Sequence, residues 1–140
     1  MRTISWKLSL KSDPEKVFNL LTTAEGIAKF WSEKAVVEDN SIHFVFPNSQ
    51  EYKGKILKVV PSKEFHLNYF DSIVKFKLEP NVTNGTDLIL INEEVDETEF
   101  SEVHAGWISV LMNLKAVADF QCDLRNHDPK RTWGQGYVDN

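Results

Sequence analysis

Hydrophobic and polar residues alternate at the start of the chain, and this alternation predicts a strand. In the segment RTISWKLSLK, the residues Ile4, Trp6, Leu8 and Leu10 share one face. Period-two alternation of this kind is typical of a half-buried strand. The pattern stops at residues 12–15, which read Ser-Asp-Pro-Glu. A Ser-x-x-Glu capping box with proline in the first turn predicts that a helix begins there.

Two short helices are predicted after this strand. Beyond the capping box, apolar residues recur at helical spacing until about Thr22. Thr23 can then cap a second helix, AEGIAKFW, in which Ile27, Phe30 and Trp31 fall on one side. The chain is therefore expected to begin with a strand followed by two helices.

From about Lys34 the period changes to two and stays there for some sixty residues. Runs such as IHFVF and VKFKL alternate strictly, and turn-forming pairs such as Asp39-Asn40 and Asn84-Gly85 separate the runs at roughly ten-residue spacing. This pattern predicts an antiparallel meander with one face exposed to solvent. The alternation slips phase near Gly54 to Leu57, which predicts a β-bulge.

A long helical pattern follows, from about Thr98 to Leu124. Apolar residues form one continuous stripe along it. A helix of about 26 residues spans some 39 Å, longer than any strand predicted here, so we expect it to cross the concave face of the sheet. Within it, the segment HAGWISVLMNLK places His104 and Trp107 on the otherwise aliphatic stripe.

Composition limits the classes of function. The 140 residues match one domain, 1–140, with a polar tail from about residue 126. The single cysteine, Cys122, excludes an internal disulfide, and no apolar stretch has the length of a membrane span. With no secretory signal, the expected location is the cytoplasm. A net charge of -5 disfavours nucleic acid and anionic membranes as partners.

The sequence resembles the START-like or Bet v 1-like superfamily, in particular the branch similar to the C-terminal domain of the activator of Hsp90 ATPase. The resemblance covers nearly the whole chain and is carried by SDPEKVFNLLTTAEGIAKFWSEKA, HAGWISVLMNLKAVADF and LRNHDPKRTWGQGYVDN. It implies an α+β helix-grip fold, in which a curved antiparallel sheet of about six to seven strands wraps a long C-terminal helix. An internal cavity for a small apolar or amphipathic molecule is implied as well, with Trp107 and His104 facing it.

Large inward-facing side chains are the candidate ligand-binding set. A binding pocket is typically apolar with a few placed polar groups, which Tyr hydroxyls and indole N–H groups can supply. The alternative is that the same rings pack together in a hydrophobic core and leave no cavity for a ligand. The predicted ligand-binding residues are Trp31, Phe44, Phe46, Tyr52, Tyr69, Phe76, His104, Trp107 and Leu111.

His104 also has a structural interpretation, which we favour over a role in the pocket. It can be a satisfied histidine near the helix N-terminus, bonded to a backbone group or to a carboxylate such as Glu102. The other histidines show no zinc-ligand spacing, so no metal and no cofactor are expected. Cys122 lacks the surroundings of a reactive thiolate, and no nucleophile elbow or phosphate loop occurs.

The sequence predicts a small-molecule binding module with an internal cavity. The alternatives are a protein-interaction module resembling the C-terminal domain of the Hsp90 ATPase activator, and a cavity-based cyclase, lyase or hydrolase. No residue pattern requires catalysis. A homodimer or a chaperone partner is left open. The polar tail is expected to pack through Trp133 and Tyr137, which lie four residues apart.

Overall fold

A computed structural model describes all 140 residues of the chain. In chain order its elements are β1 (Arg2–Leu10), α1 (Pro14–Thr22), α2 (Ala24–Phe30), β2 (Lys34–Glu38), β3 (Ser41–Val45), β4 (Glu51–Val60), β5 (Glu64–Tyr69), β6 (Ser72–Pro80), β7 (Thr86–Val95), α3 (Phe100–Phe120) and a 3-10 turn (Trp133–Gln135). The predicted order of a strand, two short helices, six strands and a long helix is confirmed.

The seven strands form one antiparallel sheet in the order β1-β7-β6-β5-β4-β3-β2. Strands β2 to β7 are a meander of sequential neighbours, and β1 pairs with β7 at the far edge. Helix α3 packs against β1, α1 and α2. The architecture is therefore the predicted α+β helix-grip fold.

Two details predicted for the sheet, a β-bulge and a hairpin turn, are present in the structure. The β4–β5 register shifts between Ile56 and Lys58, which confirms the bulge expected from the slip in alternation. Asp39 and Asn40, between β2 and β3, have φ values of 50° and 58°. Positive φ at both positions is what a two-residue hairpin turn requires, and Asp and Asn tolerate it better than most residues.

The predicted capping residue of α1 was wrong by one position. Asp13 is the N-cap, and its side chain accepts from the backbone N–H of Lys16 at 2.9 Å. Ser12 bonds to the end of α3 instead. Its hydroxyl donates to the carbonyl of Ala118 at 2.8 Å and lies 2.9 Å from the carboxylate of Asp119. Ser12 thus joins the start of α1 to the end of α3.

Helix α3 is shorter than predicted, with 21 residues instead of about 26. It ends because Gln121 adopts a left-handed conformation, with φ of 50°, and the following N–H of Cys122 bonds to the carbonyl of Ala116 at 3.0 Å. This is a helix-terminating arrangement that the apolar pattern does not reveal. The chain beyond Gln121 leaves the helix axis.

Helices α1 and α2 meet closely at Gly26. A Cβ at this position would lie 2.5 Å from the Cα of Leu20. Only glycine permits so close an approach, and the approach brings Phe30 and Trp31 into a core cluster of 24 buried residues. The α1–α2 pair therefore fixes where Trp31 enters the space between the sheet and α3.

Candidate functional site

A cavity of about 670 Å³ opens between α3, the β5–β6 turn, the end of β7 and the C-terminal tail. It has 28 lining residues, of which 11 are hydrophobic. A second depression, of about 650 Å³, lies over α1 and α2, but only Leu20 among its nine lining residues is hydrophobic. Ligand sites combine an apolar lining with a few polar groups, so the first cavity is the candidate site.

Three aromatic rings from distant parts of the chain form what we call the aromatic floor of the cavity: Trp31, Tyr69 and Trp107. Their centroids are 5.4 Å apart for Trp31 and Tyr69, 5.5 Å for Tyr69 and Trp107, and 5.8 Å for Trp31 and Trp107. These separations are typical of favourable aromatic pairs. Helix α2, strand β5 and helix α3 thus each contribute one ring to a single packed surface.

The polar edge of the Trp107 ring is satisfied inside the protein. Its indole N–H donates to the side-chain oxygen of Asn92 at 2.9 Å. The amide nitrogen of Asn92 donates to the hydroxyl of Ser72 at 2.8 Å and to the carbonyl of Ile73 at 3.1 Å. Asn92 is fully buried, so this network holds the orientation of Trp107 without help from solvent.

Tyr69 supplies a hydroxyl at the floor of the cavity. This oxygen accepts the indole N–H of Trp31 at 3.1 Å, which leaves its own O–H free to donate. Burial raises the pKa of Tyr69, and the hydrogen bond from Trp31 offsets only part of that shift. The phenol is therefore neutral at physiological pH.

The structure brings four of the predicted residues to the cavity surface: Trp31, Phe46, Tyr69 and Trp107. Phe44 and Phe76 are buried behind Trp31, at centroid distances of 4.9 and 5.7 Å. Leu111 is buried in the core, and Tyr52 stacks on Phe70 at 4.4 Å. These last four side chains do not line the cavity and support the residues that do.

His104 does not line the cavity, although the resemblance implied that it would face it. Its ring stacks on Trp6 of β1 at 5.0 Å and on Phe100 at 5.3 Å. The alternative expectation was a hydrogen bond to a backbone group or to a carboxylate such as Glu102. The His104 ring makes neither bond, and the Glu102 carboxylate instead accepts the indole N–H of Trp133 at 2.7 Å. His104 therefore joins α3 to the first strand through ring stacking.

The C-terminal tail forms one wall of the cavity. Trp133, Gly134 and Asn140 line it, and the hydroxyl of Ser109 on α3 donates to the carbonyl of Val138 at 3.0 Å. The predicted packing of Trp133 is present, whereas Tyr137 is 40% exposed and contributes little. The tail is thus docked onto α3 through Trp133.

Arg125 anchors the beginning of this tail. Its guanidinium donates to the carbonyls of Ser32 and Ala28, both at 2.9 Å, at the end of α2. It also forms an ion pair with Asp123 at 3.0 Å. The buried Arg125 therefore satisfies the carbonyl of Ala28 in the last turn of α2 and that of Ser32 just beyond the helix.

His127 lies between two carboxylates in the same region. Its ring nitrogens are 2.8 Å from Glu33 and 2.7 Å from Asp123. Hydrogen bonds to Asp123 and Glu33 raise the pKa of His127. Burial raises the pKa of Asp123, but hydrogen bonds from Arg125 and His127 outweigh it and hold that pKa well below its usual range. The three groups form a charged link between the tail and residue 33.

Sequence reasoning missed several residues of the site. Asn92 carried a signal, because it shares the parity of Leu88 and Leu90 in β7 and so interrupts an apolar face with an amide. Trp133 was predicted to pack but not to line a cavity, and Phe70 and Arg125 carried no local signal. Their roles depend on contacts between segments far apart in the chain.

No helix of the structure is both long and apolar enough to cross a membrane. No group of three or more His, Cys, Asp and Glu side chains is arranged to hold a metal ion. The lining of the cavity combines aromatic surface with a phenol, exposed side-chain carboxylates and several amide and hydroxyl groups.

The helix-grip fold is that of the START-like or Bet v 1-like superfamily, and a family match supports this assignment. Within it, residues 11–119 match the profile of the family described as "Activator of Hsp90 ATPase homolog 1-like protein", and the chain belongs to that family. No curated protein matches the sequence significantly.

Solved structures with the same fold agree with this assignment. The Aha1 dimer from Colwellia psychrerythraea has a TM-score of 0.77 at 24% identity, and the match covers 86% of this chain and 98% of that one. A protein from Chromobacterium violaceum has a TM-score of 0.72 at 23% identity, with 85% and 99% covered. A protein from Staphylococcus saprophyticus has a TM-score of 0.72 at 18% identity, with 83% and 90% covered. At these identities the likeness shows the fold.

Proposed function

We propose that this protein binds a small apolar or amphipathic molecule in the cavity between the sheet, α3 and the tail. The observation that carries this proposal is the aromatic floor of Trp31, Tyr69 and Trp107 beneath a cavity of about 670 Å³. Rings of this size stabilise a bound apolar body by burying its surface. The Tyr69 hydroxyl adds one donor for an acceptor atom of the ligand.

Gly106 offers a direct test of this proposal. It lies on α3 and lines the cavity, and a Cβ at this position would meet nothing within 4 Å. Gly106→Phe is therefore expected to fill the cavity with a ring while leaving the fold intact, and Gly106→Ala is the matched control. Both variants and the parent protein would be titrated with the neutral, environment-sensitive dye Nile red, after circular dichroism has shown that each is folded.

We expect saturable one-site binding to the parent and to Gly106→Ala, and at least about tenfold weaker binding to Gly106→Phe, equal to about 1.4 kcal/mol. Native mass spectrometry of the freshly purified protein would identify a retained ligand. Non-saturable dye binding, or equal binding by all three folded proteins, would contradict the proposal.

A protein-interaction module is the second candidate. Ile108 and Met112 lie one turn apart on α3 and are 45% and 49% exposed. The family description refers to activation of Hsp90 ATPase, and the relative from Colwellia psychrerythraea is described as a dimer. Adding the protein to an Hsp90 ATPase assay, and measuring its mass in solution by light scattering, tests both partners. An unchanged ATPase rate and a monomeric mass would leave ligand binding as the function.

We also propose that the protein is located in the cytoplasm and that residues 1–140 form a single domain. The core cluster supports one domain, since its members come from β1, α1, α2, the meander and α3. A single cooperative unfolding transition seen by both circular dichroism and tryptophan fluorescence is expected.

A further inference from the structure

The charges around the cavity are strongly unbalanced. Five side-chain carboxylates line it, all of them on exposed residues at the mouth: Asp71, Glu94, Asp96, Glu99 and Glu102. Among the lining residues there is no lysine, and the positive groups are Arg125 and the amino group of Met1. The mouth of the cavity therefore carries an excess of negative charge.

The positive charge of Arg125 is already paired with groups of the protein itself. Arg125 is 9% exposed, and its guanidinium donates to the carbonyls of Ala28 and Ser32 and forms an ion pair with Asp123. Arg125 is thus not free to receive an anionic head group. An anionic ligand in this cavity would lack a buried cation and would face carboxylates as it entered.

Three of the mouth carboxylates are themselves without partners. Asp96 accepts from the N–H and hydroxyl of Thr98, and Glu102 accepts from Trp133. Asp71, Glu94 and Glu99 have neither a hydrogen bond nor an ion pair, and they come from the β5–β6 turn, strand β7 and the start of α3. Negative charge from three separate elements thus converges on one opening.

The aromatic floor bears on the ligand class as well. The faces of Trp and Tyr rings carry partial negative charge, so they repel an anionic group but accept an apolar body. Trp31 and Trp107 are 4% and 3% exposed, and with Tyr69 they form the surface at the bottom of the cavity. The floor therefore suits an apolar body and disfavours an anion, and the mouth favours a positively charged head group.

We infer that the cavity selects a cationic amphiphile, whose apolar body lies on the aromatic floor and whose amine or quaternary ammonium group meets Asp71, Glu94 and Glu99. This inference rests on the proposed function, because it names the ligand class of that same cavity. It excludes fatty acids and other anionic amphiphiles as preferred ligands.

Three molecules with the same ten-carbon chain and different head groups test this selection: decyltrimethylammonium, decanol and decyl sulfate. Each would compete with Nile red, or be titrated by calorimetry, at concentrations below micelle formation. We expect decyltrimethylammonium to bind at least about tenfold more tightly than decyl sulfate, with decanol between them. The difference should shrink as sodium chloride is raised, because the mouth carboxylates are exposed and screened.

A variant that combines Asp71→Asn, Glu94→Gln and Glu99→Gln should bring the two charged ligands to within about threefold of each other, since it removes the local charge that separates them. The matched control combines Glu38→Gln, Glu79→Gln and Asp87→Asn. It changes the net charge equally at exposed sites that do not line the cavity and have no ion pair. This control should keep the tenfold preference.

The outcomes separate the inference from the function on which it rests. If neither Nile red nor any of the three molecules binds saturably, the proposed function fails. If they bind but decyl sulfate is as tight as decyltrimethylammonium, the cavity is a binding site and the inference is overturned. Equal loss of preference in the control variant would also overturn it, because overall charge and not the mouth would then set the selection.

Discussion

The indole N–H of Trp107 on α3 donates to the side-chain oxygen of Asn92 on β7 at 2.9 Å, and both residues are buried. This bond ties the long helix to the sheet beside the cavity. We predict that Asn92→Ala lowers the free energy of unfolding by about 2–4 kcal/mol, since it leaves the indole N–H unpaired and creates a small void. Urea denaturation measures the loss.

A double-mutant cycle isolates this bond from the other effects of Asn92. Trp107→Phe removes the N–H donor but keeps an aromatic ring, so Asn92→Ala should cost less in that background by about 1 kcal/mol or more. If the two substitutions were additive, the hydrogen bond would contribute nothing, and the orientation of Trp107 would have to come from ring packing alone.

Two helical glycines should respond in opposite directions to alanine. Gly106→Ala is expected to stabilise the protein by about 0.5–1 kcal/mol, because a Cβ there meets nothing within 4 Å and alanine favours the helix. Gly26→Ala should destabilise it by more than about 2 kcal/mol, because its Cβ would lie 2.5 Å from the backbone of Leu20. Thermal unfolding of the pair checks both. A stable Gly26→Ala protein would mean that α1 and α2 can separate at no cost.

His104→Leu should change the free energy of unfolding by less than about 1 kcal/mol, since the ring makes stacking contacts with Trp6 and Phe100 that leucine partly replaces. Nile red binding should be unchanged in affinity between about pH 5 and 8 in both proteins, because His104 does not line the cavity. A shift in binding with pH that vanishes in the variant would place His104 in the site after all.

The two large rings of the tail should differ in their effect on stability. Trp133→Ala is expected to cost about 1–2 kcal/mol, because it removes a half-buried indole and its bond to Glu102. Tyr137→Ala is the matched control and should cost less than about 0.5 kcal/mol, since that ring is 40% exposed and has no side-chain hydrogen bond. Equal effects would indicate that Trp133 is not docked on α3.

The raised pKa of His127 predicts a pH dependence of stability. Its contribution is fully present below the unfolded pKa of about 6.5 and is lost as pH rises through the higher folded pKa. His127→Gln should therefore lose less stability than the parent between about pH 6 and 9. The difference should be at most about 1 kcal/mol, because the side chain is 39% exposed and screened by solvent. Glu33→Gln should flatten the profile in the same direction, whereas parallel profiles would contradict the role of the pair.

Local patterns predicted the elements, because alternation and helical spacing record which side of each element is buried. The same reasoning put Trp31 and Trp107 on inward faces. It did not show that Tyr69 would meet Trp31, since 38 residues separate them and the meeting depends on how far the sheet curves. The resemblance implied that His104 faces the cavity, whereas its ring stacks on Trp6 and Phe100, because the apolar stripe of α3 is wide enough to face both β1 and the cavity.

The tail had the weakest sequence signal for a different reason. Its docking uses hydrogen bonds between polar groups, such as that from Arg125 to Ala28, which are 97 residues apart. Hydrophobic periodicity carries no information about such pairs. Polar composition alone would equally suit a segment with no fixed structure.

The match to the family ends at position 119, yet Arg125, Trp133, Gly134 and Asn140 line the cavity beyond that point. The matched segment therefore supplies the aromatic floor, and a segment outside it completes the wall. Substitutions in that segment can reshape the opening without disturbing the scaffold that holds the floor.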